Sequence, residues 1–432
     1  MNAYKLFADE ALRTYSELPE EQNELYKRRY VSLDAQNMLD IFEKNAKPDK
    51  NEDAELSESL KSLFIDSRMN FDAVIGSGGF SINKSSKYIT IVPASNLDKE
   101  CLEAKLHKST EDKLAALIHA FTDKVMFINI GNGEKARLNL LFSNNKAPIS
   151  TQIIINVGDE ADLEILEWYA STADAESASA FMHEGVVGKY SNVSIDAVHN
   201  EGEHTVVVGL SKYAVGERSN AKLNYFYGGG SHCKVKNYFY ANEHESSVHV
   251  NELTFGSGKQ KFDISSQLEN RSTSTIAELH SRAVVMNDSF CIMKGFAKIP
   301  FGSKNSRSFV HESGMLLDEG AAIESIPAMS IDESEVKATH SSATGPIDDE
   351  LIFYLNSKGL SEKKAKMLVV EGFFSGSVGR FRNDNAKLYI ASLILDKIER
   401  GVFGKPVKVS AGNIWVGREN EEDIFKGHYK YR

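Results

Sequence analysis

The stretch that decides the fold runs from Pro327 to Phe374 and reads PAMSIDESEVKATHSSATGPIDDELIFYLNSKGLSEKKAKMLVVEGFF. Its first part has the pattern of a β-strand, and that pattern ends at Gly345-Pro346. The second part predicts two short amphipathic helices separated by Gly359, a residue suited to the left-handed conformation that ends many helices. His340 lies among small residues just before the change, so we expect its ring to be uncovered. The stretch therefore marks the boundary between a β domain and a helical domain.

The two predicted helices carry end signals as well as an apolar face. Asp348 or Asp349 can cap the first helix, and Ser361 the second, by accepting hydrogen bonds from backbone N–H groups. The apolar positions recur at helical spacing and are Leu351, Ile352 and Leu355 in the first helix and Ala365, Leu368, Val369, Gly372 and Phe373 in the second. The pattern leaves two interpretations open: this face packs on its own domain, or it binds a partner protein.

From Val125 onward the chain consists of short alternating runs broken by Gly, Asn, Asp or Ser. The runs have period-two polarity, contain few prolines and are not separated by helices, which favours an all-β solenoid, barrel or sandwich. A β region from 125 to 345 is long for one sandwich. It suits stacked coils, in which each rung buries its apolar side against the next. No clear repeat motif decides between these architectures.

The two ends of the chain favour helices. Helical spacing is found at Tyr4–Tyr15, Leu25–Leu39, Leu114–Asp123 and Asp384–Arg400, with a polar connector at Lys44–Ser57 and an ambiguous segment at Leu60–Asn70. Tyr88–Val92 is strand-like, and Gly76–Gly79 predicts a turn, since no Gly-Lys-Ser/Thr of a phosphate loop follows it. We therefore predict a mostly helical domain at 1–124, a β core at 125–345 and a helical domain at 346–432, in which 402–432 has no assigned role.

Composition limits the classes of function. A length of 432 residues with 41% hydrophobic content allows a large core, and a net charge of −11 argues against nucleic acid as the main ligand. The first ten residues lack the pattern of a signal peptide, and no apolar run reaches the ~20 residues that span a membrane. Cys101, Cys233 and Cys291 are too scattered for a disulfide framework or a Cys-x-x-Cys metal site. We expect a soluble, cytoplasmic protein with no membrane partner.

The run THSSATGPIDDELIFYLNSKGLS from Thr339, followed by AKMLVVEGFF from Ala365, resembles the signature of the SufB/SufD family. These proteins are paired subunits of the SUF iron–sulfur cluster assembly scaffold. The specific part of the resemblance covers the residues quoted above, and a weaker likeness covers most of the chain. It implies a mainly β fold, a right-handed parallel β-helix flanked by N-terminal and C-terminal helical domains.

The resemblance also implies partners and site residues. The chain would pair with a SufB-like paralogue or with itself, and the hairpin face would dock the ABC-type ATPase SufC through Leu351, Ile352, Leu355, Leu368, Val369 and Phe373. His340 aligns with a histidine that SufD-like subunits contribute where a nascent cluster is thought to form. Glu312 stands where SufB-type subunits have a cysteine, and Ser341 replaces a glutamate. The soft thiolate ligand is therefore missing, which makes the chain more SufD-like than SufB-like.

Several candidate ligands remain open. His340 could bind iron or relay a proton, or it could be hydrogen-bonded in the last rung. His311 and Glu312 could offer harder ligands or form a surface pair. A second His/Cys set suits zinc or iron in type but matches no known spacing, and solvated or core side chains are the simpler interpretation; its members are His232, Cys233, His244, His249, His280 and Cys291.

Three classes of function follow. The first is a non-catalytic scaffold subunit with a transient iron–sulfur cluster or iron at the subunit interface; nucleotide hydrolysis would come from SufC, since no nucleotide motif occurs here. The sequence does not decide whether a flavin is required. The second class is a β-helix enzyme acting on polysaccharides, which would need paired carboxylates in a groove. The third is a purely structural β-solenoid.

Overall fold

The computed structural model describes residues 3–18, 40–42, 70–83, 86–97, 106–144, 147–171 and 176–400. The predicted helix at Leu25–Leu39, the connector at Lys44–Ser57, most of Leu60–Asn70, Cys101 and the segment 402–432 lie outside these ranges. Two ten-stranded sheets face each other and form a parallel β-solenoid of about 7 turns. The prediction of a β-helix with helices at both ends is therefore confirmed.

From β4 to β17 successive strands alternate between the two sheets, so each turn of this part of the chain adds one strand to each sheet. In spatial order the first sheet comprises β2 (Phe80–Ile82), β1 (Ala73–Gly76), β5 (Lys135–Ser143), β7 (Asp162–Ala170), β9 (Asn192–Asn200), β11 (Asn220–Tyr227), β13 (Ser247–Gly256), β15 (Ile276–Val285), β17 (Arg307–Leu316) and β20 (Lys337–Pro346). The second comprises β18 (Ala322–Ser325), β16 (Phe290–Ile299), β14 (Lys261–Asn270), β12 (His232–Ala241), β10 (Thr205–Val215), β8 (Ser177–Val187), β6 (Ile149–Val157), β4 (Lys124–Ile130) and β3 (Ile89–Pro93), with β19 (Ala328–Ile331) also paired to β16.

One corner of each rung, where the chain passes from the second sheet to the first, uses the left-handed region of φ. From β4 to β17 these corners hold Gly133, Glu160, Tyr190, Arg218, Glu245, Ser274 and Asn305, with φ between 52° and 70°. Only glycine adopts this conformation without strain, so the stacked rungs must stabilise it elsewhere. The same corner geometry, rather than a shared motif, gives the solenoid its regularity.

Alternate side chains of the strands fill the interior between the two sheets. The interior core is mainly aliphatic and aromatic, with residues such as Ile195, Leu223 and Phe239 fully buried. Because the rungs are parallel and in register, each inward position stacks on the same position of the next rung. This stacking produces continuous files of side chains along the solenoid axis.

The described part of the chain includes five α-helices that flank the solenoid: α1 (Ala3–Glu17), α2 (Lys113–Phe121), α3 (Asp349–Ser357), α4 (Glu362–Gly379) and α5 (Asp384–Arg400). The predicted caps of the hairpin are confirmed, since Asp348 accepts the N–H groups of Glu350 and Leu351, and Ser361 accepts that of Lys364. Gly359 has φ of +92°, as its position between the helices predicts.

Segment 1–124, predicted as mostly helical, also contributes β1, β2 and β3 to the sheets. No helix of the described residues is long and apolar enough to cross a membrane.

A second core joins the C-terminal helices to the outer face of the first sheet. It contains Trp168, Phe255, Phe374 and Tyr389, and the rings of Trp168 and Tyr389 meet edge to face at 4.9 Å. Lys397 of α5 is fully buried and donates hydrogen bonds to the carbonyl groups of Gly228 and Phe255 and to Oε1 of Gln260. Helix α5 is thus held by apolar packing and by a buried amino group with three oxygen acceptors.

Candidate functional site

The last rung of the solenoid is open on one side. β20 pairs in parallel with β17 and is the terminal strand of the first sheet, so its other edge has no strand partner among the described residues. Most of its side chains are exposed on both faces. A terminal strand presents unpaired backbone N–H and C=O groups, which can bind another strand. β20 is therefore both the end of the fold and an available surface.

His340 lies at the end of a file of aliphatic side chains. The register pairs His340 with Val310, and the file continues through interior positions of six earlier rungs, Leu279, Val250, Leu223, Ile195, Ile165 and Leu138. Partners in a parallel register point to the same face of the sheet. His340 therefore belongs to the inward-facing file, but it is exposed because no further rung covers it. No hydrogen bond joins its ring to another described residue.

Glu312 is on the same inward face, one rung deeper. Its register partner on β20 is Ser342, and its carboxyl is fully buried. Ser325 of β18 donates a hydrogen bond to Oε2 of Glu312, and Ser325 Oγ lies 2.6 Å from Ser342 Oγ. Burial raises the pKa of Glu312 to about 7. Glu312 is thus a buried group linked to the surface by two hydroxyls, and burial makes it a poor ligand for an exposed iron.

His311 points to the opposite face from Glu312. Its Nδ1 lies 2.6 Å from Ser341 Oγ, and its Nε2 lies 2.9 Å from Ser313 Oγ. Both ring nitrogens are therefore engaged, and neighbouring residues of one strand cannot share an inward site. The structure therefore places His311 and Glu312 on opposite faces of β17, and their grouping with His340 as interface ligands stays a prediction. Of the two histidines, His340 is the one whose ring has no hydrogen bond to a described residue.

The described residues contain no group of three or more His, Cys, Asp or Glu side chains that could hold a metal ion. Cys233 and Cys291 point inward on strands separated by Phe262 of β14, and burial raises the pKa of both thiols. His249 pairs with Glu278 at 2.9 Å, and His244 lies 2.8 Å from Thr273. Burial lowers the pKa of His280 to about 3, which keeps it neutral. The second His/Cys set is therefore dispersed and forms no common site.

The helical hairpin, α3 with α4, has one buried and one exposed side. Ile352 is only 7% exposed, and Leu355, Val369 and Phe373 pack against the second core. The exposed large apolar side chains are Leu351 at 39%, Phe353 at 75%, Tyr354 at 55% and Leu368 at 50%. Of the predicted docking residues, Leu351 and Leu368 are exposed, Leu355, Val369 and Phe373 are half-buried, and Ile352 is buried.

Phe353 and Tyr354 are two surface residues that helical periodicity did not identify. They lie outside the apolar stripe that the spacing of Leu351, Ile352 and Leu355 predicts. Their signal in the sequence was an aromatic pair on the side of a helix expected to face solvent. We call Leu351, Phe353, Tyr354 and Leu368 the outer hairpin patch.

The chain is similar to proteins of one functional group. The family model for the SUF system FeS cluster assembly, SufBD core domain, matches residues 140–373, more than half of the sequence. The iron-sulfur cluster assembly protein SufD of Bacillus subtilis is 21% identical over 301 residues, 68% of each chain. A SufBD family protein of Pyrococcus horikoshii is 24% identical over 274 residues, 62% of this chain and 61% of its own. Another from Methanothermobacter thermautotrophicus (strain Delta H) is 27% identical over 233 residues, 51% of this chain and 54% of its own.

Proposed function

The chain belongs to the SufBD family of iron–sulfur cluster assembly proteins, and on that basis we propose that it is a SufD-type scaffold subunit of a SUF-type complex. It pairs through β20 with a SufB-like chain or with a second copy of itself, and it binds a SufC-like ATPase through the outer hairpin patch. His340 then lies at the subunit interface, where the nascent cluster forms or iron enters. The cluster is the cargo of this cytoplasmic complex, and the chain itself catalyses no reaction.

The observation that carries the proposal is the position of His340. An exposed imidazole ends a file whose other members are buried aliphatic side chains, and it lies on β20, a terminal strand of the first sheet. Imidazole is a good ligand for iron. A partner strand that adds to β20 would bring its own side chains next to this ring. The interface would then be completed by the two subunits together.

The absence of a thiolate at position 312 supports different ligand roles for the two subunits. Glu312 occupies the position at which SufB-type chains have a cysteine, and its carboxyl is buried beneath the last rung. Iron–sulfur clusters are usually held by thiolates, so the partner supplies the soft ligands and this chain supplies the imidazole. The similarity to a SufD protein agrees with this assignment.

The position of the hairpin directly after β20 supports coupling between ATPase binding and the subunit interface. Only Ile347 and Asp348 separate the end of β20 from the start of α3, so a force on the hairpin acts next to the edge strand. The outer hairpin patch offers aromatic and aliphatic side chains of the kind that dominate protein interfaces. Movement of the bound ATPase would then open the interface and expose His340.

The polysaccharide enzyme is less well supported. Such an enzyme needs paired carboxylates facing a substrate groove, whereas the carboxyls of Glu252 and Glu312 point into the solenoid and are buried. A purely structural solenoid leaves the exposed outer hairpin patch without a role.

Anaerobic co-expression with SufB-like and SufC-like partners tests the proposal. The chain should co-purify with both partners, and iron and acid-labile sulfide in the complex should exceed those in a preparation that lacks this chain. A chain that purifies away from both partners, with their iron and sulfide unchanged, would refute the scaffold role.

A further inference from the structure

A polar file runs through the interior of the solenoid beside the aliphatic file that His340 ends. On the first sheet, consecutive register partners from β7 to β20 are Glu167, Ala197, Tyr225, Glu252, Ser281, Glu312 and Ser342. The facing file of the second sheet, from β8 to β16, is His183, Ser211, Asn237, Ser266 and Gly295. Polar groups therefore stack on polar groups along much of an otherwise apolar core.

Glu252 is the centre of the deep part of this file. Asn237 Nδ2 donates to Oε1 of Glu252 at 3.1 Å, and Ser266 Oγ donates to the same oxygen. Asn237 and Ser266 are also joined to each other at 3.2 Å. Ser281, the next residue in register, interacts with the Glu252 carboxyl from the side of Glu312. All four groups are buried.

The outer part of the file reaches the open rung. Because Ser325 donates its hydrogen to Glu312, the 2.6 Å contact between Ser325 and Ser342 requires Ser342 to donate to Ser325. Ser342 is exposed on β20. The two hydroxyls therefore form a directed chain from solvent to a buried carboxyl.

The two parts of the file meet between Ser281 and Glu312, which are register partners on neighbouring rungs. Oε1 of Glu312 is buried and has no side-chain hydrogen-bond partner among the described residues. Internal water is often the partner of such a buried polar atom. A water molecule bound to Oε1 would join the outer part of the file to Ser281 in the deep part.

We propose that this file, completed by internal water, is a proton path between Glu252 and the open end of the solenoid at Ser342. A proton from solvent binds Ser342, whose own hydroxyl proton passes to Ser325, and the Ser325 proton passes to Glu312. At each step one O–H bond breaks and one forms, so the hydroxyls are regenerated. Water and Ser281 carry the proton on to Glu252, and the reverse sequence returns it.

The acidities of the two carboxyls agree with this role. Burial raises the pKa of Glu252, and burial raises that of Glu312 to about 7. Glu312 can therefore exchange between its protonated and ionised forms near neutral pH, and burial favours the protonated form of Glu252. The path depends only on this chain's interior, so it stands independently of the proposed assembly function. Metal binding releases protons from the ligands of the metal. If a metal binds at the last rung, the path would accept these protons.

Infrared spectroscopy of the full-length chain after rapid transfer to D₂O tests the path. The carboxylic acid band lost in Glu252→Gln belongs to Glu252, and in the wild type it should shift to its deuterated position while the β13 amides remain protonated. Ser325→Val, which removes the relay hydroxyl, should slow that shift about tenfold or more without removing the band. Ser313→Ala is the matched control, because Ser313 points to the opposite face and contacts His311.

Three results would overturn the path. They are an unchanged exchange rate in Ser325→Val, exchange of the Glu252 proton only together with the β13 amides, and no carboxylic acid band that depends on Glu252. If Ser325→Val does not fold, Ser342→Ala at the exposed end of the relay replaces it, with the same expected slowing.

Discussion

Gly295 and Glu312 face each other across the interior of the solenoid, and a β-carbon added to Gly295 would lie 2.7 Å from Oε1 of Glu312 and 2.5 Å from Cγ1 of Val310. The glycine gives the buried carboxyl its space. The buried carboxyl of Glu312 is thus accommodated by a specific gap in the opposite sheet.

Gly295→Ala should destabilise the fold. The added methyl group has no free volume, so overpacking should cost about 1–3 kcal/mol. Denaturant unfolding followed by circular dichroism measures this loss. Gly372→Ala in α4 is the control, because no atom lies within 4 Å of the added methyl group and alanine favours the helix. Equal stability of Gly295→Ala and wild type would show that the interior is not closely packed here.

Glu167 should make the stability of the fold depend on pH. Burial raises its pKa from 4.5 to about 8, so between these values the folded state retains a proton that the unfolded state has lost. Its contribution is complete below about pH 4.5 and declines as pH rises to about 8, by on the order of 5 kcal/mol. Glu167→Gln should remove this decline, as measured by urea unfolding across that range.

Glu164, three residues before Glu167 and on the outward face of β7, should make the stability of the fold depend on pH in the opposite direction. Burial acts to raise the pKa of Glu164, but hydrogen bonds from Arg382 and Arg137 lower this pKa below its ordinary value. Its contribution is therefore present above the ordinary pKa of 4.5 and is lost as pH falls. Glu164→Gln should leave the decline between pH 4.5 and 8 intact, and the assignment to Glu167 fails if both variants have the same profile.

Lys397 should anchor α5 to the solenoid. Lys397→Met keeps the length of the side chain but removes the Lys397 donor from the buried carbonyl of Phe255 and one of the two side-chain donors from that of Gly228, which should cost about 2–4 kcal/mol. Limited proteolysis and thermal unfolding should both show a loosened C-terminal helix. Lys364→Met, at an exposed position of α4, should unfold like the wild type. Unchanged protease resistance of Lys397→Met would contradict the anchoring role.

The outer hairpin patch should bind the ATPase. Phe353→Asp combined with Leu368→Asp should weaken binding of a SufC-like protein about 30-fold or more, since central apolar residues of interfaces contribute 2 kcal/mol or more each. Calorimetric titration with the purified ATPase measures the affinity. Phe301→Asp is a matched control, because Phe301 is 84% exposed on the turn between β16 and β17. Full affinity of the double variant would exclude the patch.

Local sequence signals predicted much of the architecture. The caps at Asp348 and Ser361 and the turn at Gly359 depend on neighbouring residues, so spacing alone was enough to locate the hairpin. The solenoid had no visible repeat because its rungs differ in length. Along the polar file, successive register partners such as Glu252, Ser281 and Glu312 are separated by 27 to 31 residues. Such variation removes any fixed period.

The faces of the site residues depended on long-range packing. The exposed side of the hairpin is decided by how α4 packs on the first sheet, which brought Ile352 inside and left Phe353 outside. The positions of His311 and Glu312 on opposite faces were predictable from the sequence, because adjacent residues of a strand point to opposite faces. The polar file was not predictable from the sequence, since it joins residues of seven rungs.

The role of His340 at the open rung is tested most directly by the iron and acid-labile sulfide content of the complex formed with SufB-like and SufC-like partners under anaerobic conditions. His340→Ala should assemble normally, because the ring is exposed and makes no hydrogen bond to a described residue, yet its cluster content should fall about tenfold or more. His244→Ala, which alters another partly exposed histidine far along the solenoid, should keep the wild-type content. Wild-type iron and sulfide in the His340→Ala complex would contradict the account.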